Sequence, residues 1–305
     1  MIIGTRGSKL AIAQTEKLCE RLRALDVGYE IKSVRSLGDV ITDRGLYEMP
    51  SEGVFVKKLD TMLLTGKIDL VVHSMKDIPL ERDERLETSA VLPRDSPYDA
   101  LVSKYRLADM PDGTVVGTSS VRRKHQFLHY VENKGVKVKI KDIRGNVDTR
   151  IEKFQRGEYD GVILAEAGLE RLNLNIEYER LDCDPFVPSP GQGIIAVVAR
   201  KGSGESDILK EIDDAKTRVE AEAEKEVLKV IGGGCSLPVG VHARCKGEEV
   251  ALAVYVGFSD EKYTLEKAVL SKNRCLEEAR DFITNFKIAH ILPHRKNSKI
   301  AKSLS

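Results

Sequence analysis

The chain has few cysteines, and their spacing excludes the usual roles of paired cysteines. Its 305 residues include five cysteines, an odd number, at positions 19, 183, 235, 245 and 275. Wide spacing argues against a disulfide framework and indicates a reducing compartment. No two cysteines stand at CxxC spacing, so we expect neither a zinc knuckle nor a dithiol redox pair.

An excess of one charge and long apolar runs are also missing. The formal net charge is +1, so no overall field attracts nucleic acid or a membrane surface. No window approaches the run of about 18 apolar residues that a membrane helix needs, and the N-terminus lacks the pattern of a signal peptide. We therefore expect a cytoplasmic protein that binds neither nucleic acid nor a membrane.

The glycine motifs of nucleotide-binding proteins are absent as well. The segment Gly4-Thr5-Arg6-Gly7-Ser8-Lys9 lacks the GxxxxGK spacing of a P-loop, and no GxGxxG fingerprint occurs in the chain. Nucleotide binding is therefore not expected. With 41% hydrophobic and 5% aromatic residues, the composition is that of a globular protein with two or three domains.

The first 200 residues alternate short β-rich runs with amphipathic helical patterns, which predicts βα units around mostly parallel sheets. Strands are predicted at 1–5, 29–34, 70–73, 115–117, 136–141, 161–165 and 194–199. Ser8 is predicted as a helix N-cap, and so is either Ser119 or Ser120. One α/β domain is predicted at 1–92 together with 193–212, and a second at 98–187. The remaining segment, 216–305, predicts a smaller α+β domain with three strands between two helices.

Positive charge is concentrated in the predicted second domain. Between Gly117 and Arg150 there are nine lysines and arginines against three acids, whereas 205–230 holds nine acids against five bases. Cations at the start of a helix oppose its dipole, so they are poorly explained as helix stabilisers. Arginine forks beside helix termini bind carboxylates or phosphates. We therefore favour an anion site over a solvated basic face at Arg122, Arg123, Arg144 and Arg150.

Asp77 is the carboxylate that we expect to be catalytic. It follows the predicted buried strand 70–73 in a polar break, and ligands of α/β proteins bind at the carboxyl ends of strands. A carboxylate beside Lys76 stays ionised and can stabilise a cationic intermediate. An N-cap or a structural ion pair is the alternative role.

The histidines offer no metal site, and packing is favoured over a role as base for His73. His73 is expected to pack inside its strand. His125 and His129 are four residues apart on a predicted helix, but no third ligand has suitable spacing. We expect these two histidines at the surface and no metal site.

Cys235 stands in an unusual loop, after Gly232, Gly233 and Gly234 and three residues before Pro238. These residues favour an open, turned backbone that exposes the thiol. Three roles remain open on the residues alone. The cysteine is a small buried apolar residue, the nucleophile of a Cys-His hydrolase, or the point of covalent attachment of another group.

Several blocks of the sequence together resemble the porphobilinogen deaminase family. They are TRGSKLAIAQ at 5–14, GVFVKKLD at 53–60, DLVVHSMKDIP at 69–79, PRDSPYDALVS at 93–103, VGTSSVRR at 116–123, IRGNVDTR at 143–150, YDGVILAEAGLERL at 159–172, PSPGQG at 188–193 and GGGCSLPVG at 232–240. Each block is modest evidence, whereas their common order and spacing are highly specific. Beyond Gly240 the similarity is limited to size and to the βββα pattern.

The resemblance implies two α/β domains like those of type II periplasmic-binding proteins, with the active site in a cleft between them, and a smaller C-terminal α+β domain. It implies that Cys235 carries a dipyrromethane cofactor through a thioether. The family adds porphobilinogen units to this primer with loss of ammonia and releases the linear tetrapyrrole hydroxymethylbilane. A two-lobed anion- or solute-binding protein without catalysis is the main alternative, because the same fold with the same arginines would bind anions. This alternative leaves Cys235 unexplained.

The resemblance also implies roles for individual residues. Asp77 would be catalytic. The cofactor would be held by Lys76, Asp77, Ser120, Arg122 and Arg123 in addition to Cys235. The carboxylates of the substrate would be bound by Arg6, Ser8, Arg144, Arg150 and Arg171. Porphobilinogen is the expected small-molecule partner, and we expect a monomer because no apolar stripe or heptad calls for a second chain.

Overall fold

The structure is a computed structural model that describes residues 1–34, 54–232, 237–259 and 262–286. The chain divides into two compact units. The first comprises Met1–Ser96, Ala167–Asn175 and Gln192–Arg218, and the second comprises Pro97–Glu166, Ile176–Gly191 and Val219–Ser305. The boundaries of three domains, and a cleft between the two α/β domains, stay predictions.

The described residues form strands and helices in the alternating order that the sequence predicts. The strands are β1 (Ile2–Arg6), β2 (Glu30–Val34), β3 (Leu70–Ser74), β4 (Leu86–Val91), β5 (Asp99–Ser103), β6 (Val115–Gly117), β7 (Lys139–Lys141), β8 (Gly161–Ala165), β9 (Glu179–Leu181), β10 (Ile195–Arg200), β11 (Val239–Lys246), β12 (Glu249–Ser259) and β13 (Lys262–Ser271). The α-helices are α1 (Lys9–Ala24), α2 (Val54–Leu64), α3 (Val121–Glu132), α4 (Val147–Gln155), α5 (Glu166–Arg171), α6 (Gly204–Lys210), α7 (Ala215–Ile231) and α8 (Cys275–Phe286). Within these ranges, no helix combines the length and the apolar character that crossing a membrane requires.

Two five-stranded sheets have the same pattern of strand directions. The first has the order β2-β1-β3-β10-β4 and the second has the order β7-β6-β8-β5-β9. In each sheet three strands are parallel, the fourth is antiparallel to both of its neighbours, and a fifth completes the sheet. This repeated order confirms the two periplasmic-binding-protein-like α/β sheets.

The sheets are mixed rather than mostly parallel, which corrects the sequence prediction. Strand β10 enters the first sheet at the carboxyl edge of β3, where the Met75 amide donates to the Ile194 carbonyl at 2.9 Å. Ile195 is then paired with Ser74, the last residue of β3. A strand that enters at this edge must run back along β3, so it is antiparallel.

Both faces of the first sheet are buried, which explains the continuous apolar runs of β3 and β10. On one face Leu70 and Val197 pack with Leu18 and Leu22 of α1. On the other face Val71 and Val198 pack with Leu59 and Leu63 of α2. The helices thereby hold β3 rigid up to the residue before the polar turn at Met75.

The C-terminal part contains a separate antiparallel sheet of order β11-β12-β13. One face, including Val241 and Val254, packs against Val227 of α7 and Ile283 of α8, and all four side chains are fully buried. The opposite face carries the more exposed residues of each strand. This confirms the smaller α+β domain with a three-stranded sheet.

Candidate active site

The carboxyl ends of β1 and β3 carry a first group of candidate residues. These strands are parallel neighbours, with Ile3 paired to Leu70 and Gly4 to Val71. Arg6 ends β1, and Ser8 caps α1 by accepting a hydrogen bond from the Ala11 amide at 3.3 Å. Because a hydroxyl that accepts can still donate, Ser8 keeps a proton for a ligand oxygen. The predicted N-cap at Ser8 is confirmed.

Lys76 and Asp77 lie in the short 3-10 turn Met75–Asp77 that directly follows β3. The turn is anchored by Ser74, whose hydroxyl accepts from the Gln14 amide group at 2.7 Å. Lys76 contacts the buried Gln192 side chain at 3.3 Å, and both Lys76 and Asp77 are exposed. The carboxylate of Asp77 is thus exposed on an anchored turn, and its catalytic role stays a prediction.

His73 lies in β3, just before the turn that carries Asp77. It is buried, as expected of a packed strand histidine. Its Nε2 is 3.8 Å from Oδ1 of Asp60, which also forms an ion pair with Arg82. Burial lowers the pKa of His73 below its ordinary value, against the opposing effect of Asp60. The imidazole is therefore neutral at physiological pH and supports the strand.

The carboxyl ends of β6 and β7 form a second group of candidate residues. The Ser119 hydroxyl links the loops that follow these strands, because it donates to the Ile143 carbonyl at 2.9 Å and accepts from the Ile143 amide at 3.0 Å. Ser120 caps α3 by accepting from the Arg123 amide at 3.4 Å. The loops that carry Ser120 and Arg144 are thus tied together.

Arg122 and Arg123 are buried and share a carboxylate that the sequence analysis did not single out. Asp99, at the start of β5, accepts from Arg122 Nη1 at 2.8 Å, and its Oδ1 lies 2.8 Å from Arg123 Nη2. The two guanidinium groups also donate to backbone carbonyls of Val187 and Ile163. Two cations against one carboxylate leave an excess of positive charge at this position.

Arg150 adds to this excess. It is half-buried, and its Nε donates to the Gly145 carbonyl at 2.8 Å. Burial lowers the pKa of Arg150, and the positive charge of Arg123 lowers it further. Arg144, in the loop before α4, is exposed. An anionic ligand would relieve the repulsion within this group of arginines.

Arg171 has partners within the protein. Its Nε donates to Asp95 at 2.7 Å, Nη2 donates to the Gly193 carbonyl at 2.6 Å, and 5% of the side chain is exposed. Lys17 binds the other oxygen of Asp95 at 2.5 Å. The structure thus assigns Arg171 a bracing contact, and its predicted contact with substrate stays a prediction.

Cys235 lies outside the described residues, but the segments on both sides of it are held firmly. Glu224 of α7 is fully buried, and its carboxylate accepts from the Gly191 amide at 2.6 Å and from the Ala243 amide at 2.8 Å. The Val241 amide donates to the Pro188 carbonyl at 2.9 Å. Helix α7, the segment 188–191 and strand β11 are thereby joined to one another.

His125 and His129 are not the surface residues that the sequence predicts. His125 is buried, with Nδ1 2.6 Å from the Tyr255 hydroxyl and Nε2 2.6 Å from the Ser259 carbonyl. The His129 ring packs on Tyr263 at a centroid distance of 4.7 Å. The prediction was wrong because their partners are about 130 residues away on β12 and β13. No cluster of three or more metal-ligating side chains occurs within the described ranges.

Asp95, Asp99 and Glu224 are the residues of the site region that sequence reasoning missed. Asp95 and Asp99 lie in the block 93–103, whose acidic residues were available as partners for the basic cluster. A carboxylate at an interior position of an amphipathic helix, such as Glu224, was the other available signal. Excess arginine in a buried setting requires such acids, because a buried cation is costly without a partner.

Two domain models of one protein family together match almost the whole chain. The family model described as "Porphobilinogen deaminase, dipyromethane cofactor binding domain" matches residues 1–207, and "Porphobilinogen deaminase, C-terminal domain" matches residues 218–283. A protein of Methanocella arvoryzae named "Probable porphobilinogen deaminase" is 47% identical over 252 residues, which are 82% of each chain. A protein of the same name from Archaeoglobus fulgidus is 42% identical over 285 residues, covering 92% of this chain and 95% of its own.

Proposed function

The chain belongs to the porphobilinogen deaminase family, and from that premise we propose that it condenses porphobilinogen units with loss of ammonia and releases linear hydroxymethylbilane. It is a transferase of tetrapyrrole biosynthesis. The family's dipyrromethane cofactor serves as the primer, and we propose Cys235 as its attachment point. We further propose a cytoplasmic monomer.

One observation supports the proposed site: the described candidate residues follow the carboxyl ends of parallel strands. This edge is where α/β sheets bind ligands. After strands of the first sheet come Arg6, Ser8, Lys76 and Asp77, and after strands of the second come Ser120, Arg122, Arg123, Arg144, Arg150 and Arg171.

The described residues fit a cofactor that bears carboxylates. Arg122 and Arg123 together carry one more positive charge than Asp99 neutralises, and Arg150 is close enough to Arg123 for its pKa to respond. We propose that Ser120, Arg122, Arg123, Lys76 and Asp77 hold the cofactor. When bound, the cofactor supplies a nucleophilic pyrrole carbon for the condensation.

Asp77 is proposed as the catalytic residue. Departure of ammonia from porphobilinogen leaves a cation that is delocalised over the pyrrole ring. A carboxylate that accepts a hydrogen bond from the pyrrole N–H and carries a full negative charge stabilises this cation more than it stabilises the neutral substrate. The turn that anchors Asp77 to Ser74 and β10 holds the carboxylate in place before the substrate arrives.

The remaining cations are proposed to bind the acetate and propionate groups of the substrate. Arg6 and Ser8 lie at the end of β1, and Arg144 and Arg150 flank the start of α4. Arginine forks bind carboxylates through two parallel hydrogen bonds, so they fix orientation as well as charge. Arg171 is proposed to act at this site while braced by Asp95.

The proposal is tested by adding porphobilinogen to the protein and measuring ammonia release and the intact mass. Wild-type protein is expected to release ammonia and to carry a dipyrromethane adduct on Cys235. Asp77→Asn is expected to lower the rate of ammonia release by about a hundredfold or more, the usual effect of removing a key electrostatic stabiliser. Asp83→Asn is the matched control, since Asp83 is exposed and paired with Arg85.

An unmodified Cys235 together with binding of porphobilinogen but no ammonia release would contradict the proposal. That result would favour the two-lobed binding protein instead. Acylation of Cys235 by simple esters, with a burst of product, would favour a cysteine hydrolase.

A further inference from the structure

His125 of α3 is hydrogen-bonded at both ring nitrogens to the C-terminal sheet. The Ser259 carbonyl can only accept, so Nε2 carries the proton and donates to it over 2.6 Å. In the neutral ring Nδ1 then accepts from the Tyr255 hydroxyl, also at 2.6 Å. The ring is therefore fixed in one tautomer and one orientation.

The ring also packs directly against the strand residue that holds Pro238. Gly257 of β12 has no side chain here, and a Cβ atom added to it would lie 2.6 Å from Cε1 of His125 and would collide with the Pro238 ring. The Gly257 amide donates to the Pro238 carbonyl at 3.0 Å. His125 and Pro238 therefore meet at one glycine.

A second contact from the same helix holds the start of β11. Gln126 and Arg122 both donate to the Val187 carbonyl, at 3.0 and 2.9 Å. Val187 in turn packs against Gly240, where an added Cβ atom would lie 2.9 Å from Cβ of Val187. Helix α3 thus positions both Pro238 and Gly240.

These contacts surround the point at which the chain re-enters the sheet after Cys235. Pro238 follows Cys235 by three residues in the sequence. The first turn of α3 carries Arg122 and Arg123, and Ser120 is its N-cap. One helix therefore bears the proposed cofactor-binding side chains and sets the place of the strand next to the proposed attachment point.

We propose that His125 is a positioning residue, which fixes Pro238 relative to α3 and so sets where the chain enters β11 after the proposed attachment point. The inference rests on the proposed function. A small shift of Pro238 moves the point at which the chain enters β11. The cofactor is then expected to meet its arginines in a less favourable geometry. The role differs from general stability, because it concerns one end of one loop.

The test compares three variants of the full chain, prepared without the cofactor and then supplied with porphobilinogen. His125→Phe keeps a ring and removes both hydrogen bonds. His125→Gln keeps an N–H that can donate to Ser259. Ile68→Val is the stability control, because Ile68 is fully buried in a core cluster of the first unit, with Leu59 and Val198, that contains no residue of 237–241.

Three quantities are measured: the rate of adduct formation on Cys235 by intact mass, the hydrogen exchange of the peptide 237–241, and the melting temperature. In His125→Phe we expect adduct formation about tenfold slower and exchange of 237–241 about tenfold faster, as for loss of a buried hydrogen bond. His125→Gln is expected to restore both to within about threefold of wild type. Ile68→Val is expected to lower the melting temperature while both rates stay at the wild-type values.

Equal adduct formation and equal exchange of 237–241 in His125→Phe and Ile68→Val would overturn the inference. If His125→Phe does not fold, Tyr255→Phe takes its place, and wild-type rates in that variant would also overturn it. If wild-type protein forms no adduct, the proposed function fails, and the exchange of 237–241 still decides the role of His125.

Discussion

Replacing Asp99 by asparagine tests the buried arginine pair most directly. The Asp99 carboxylate lies 2.8 Å from Arg122 Nη1 and 2.8 Å from Arg123 Nη2, and at most 9% of each of the three side chains is exposed. Asparagine has the same shape without the negative charge. Asp99→Asn therefore removes the carboxylate that these two buried cations share.

The expected cost is large for an isosteric change. Removing one partner of a buried ion pair destabilises a protein by about 3–5 kcal/mol, because the remaining charge is left uncompensated. Burial lowers the pKa of Arg123 below its ordinary value, and Asp99 opposes this shift. We expect a loss of unfolding free energy in this range and a melting temperature lower by roughly 10 °C.

Urea and thermal unfolding of cofactor-free and cofactor-loaded protein provide the assay. Asp207→Asn, which removes the carboxylate of an exposed pair with Lys210, is the matched control and is expected to have no measurable effect. Because the cofactor is proposed to bring carboxylates to Arg122 and Arg123, the deficit of Asp99→Asn is expected to shrink in the loaded protein. A loss below about 1 kcal/mol in the cofactor-free protein would refute the reasoning about the buried pair.

Three further predictions concern residues that support the site. Glu224→Gln leaves one of two buried amide donors without an acceptor and is expected to cost about 3 kcal/mol in chemical unfolding, with the exposed Glu222→Gln of the same helix as its control. Between about pH 6.5 and the lower native pKa of His73, the unfolded state binds more protons, so stability falls as the pH falls. His73→Gln is expected to flatten that slope in pH-dependent melting, and an unchanged slope would contradict the assignment. Gly193→Ala is expected to lower the melting temperature and the rate of ammonia release, since φ is +85° and an added Cβ would lie 2.6 Å from the Asp95 and Ser96 carbonyl oxygens.

Local chemistry was readable from the sequence wherever neighbours along the chain decide the structure. Ser8 was predicted as a helix cap, and so was either Ser119 or Ser120. The hydrogen bonds to the Ala11 and Arg123 amides confirm Ser8 and select Ser120. The strands at β6 and β8 match the predicted residues, because short apolar runs between polar breaks depend on local pattern. Asp77 was singled out for the same reason, as the polar residue that ends a buried strand.

Contacts between distant segments were beyond the reach of local pattern. The antiparallel direction of β10 depends on the edge at which the chain re-enters the first sheet. The exposure of His125 was predicted wrongly because Tyr255 and Ser259 come from strands far along the chain. A histidine on a helix is equally compatible with water and with a buried partner until the tertiary neighbours are known.

The sequence by itself determined the family, the two α/β domains with their smaller C-terminal companion, and the residue types of the site, since these depend on motifs and their order. Only the tertiary structure decided which carboxylates compensate the positive charges of the arginines. Asp99 neutralises part of Arg122 and Arg123, and Asp95 braces Arg171. The physical reason is that the energy of a charge depends on which groups surround it in space, and those groups come from strands and loops that the sequence separates.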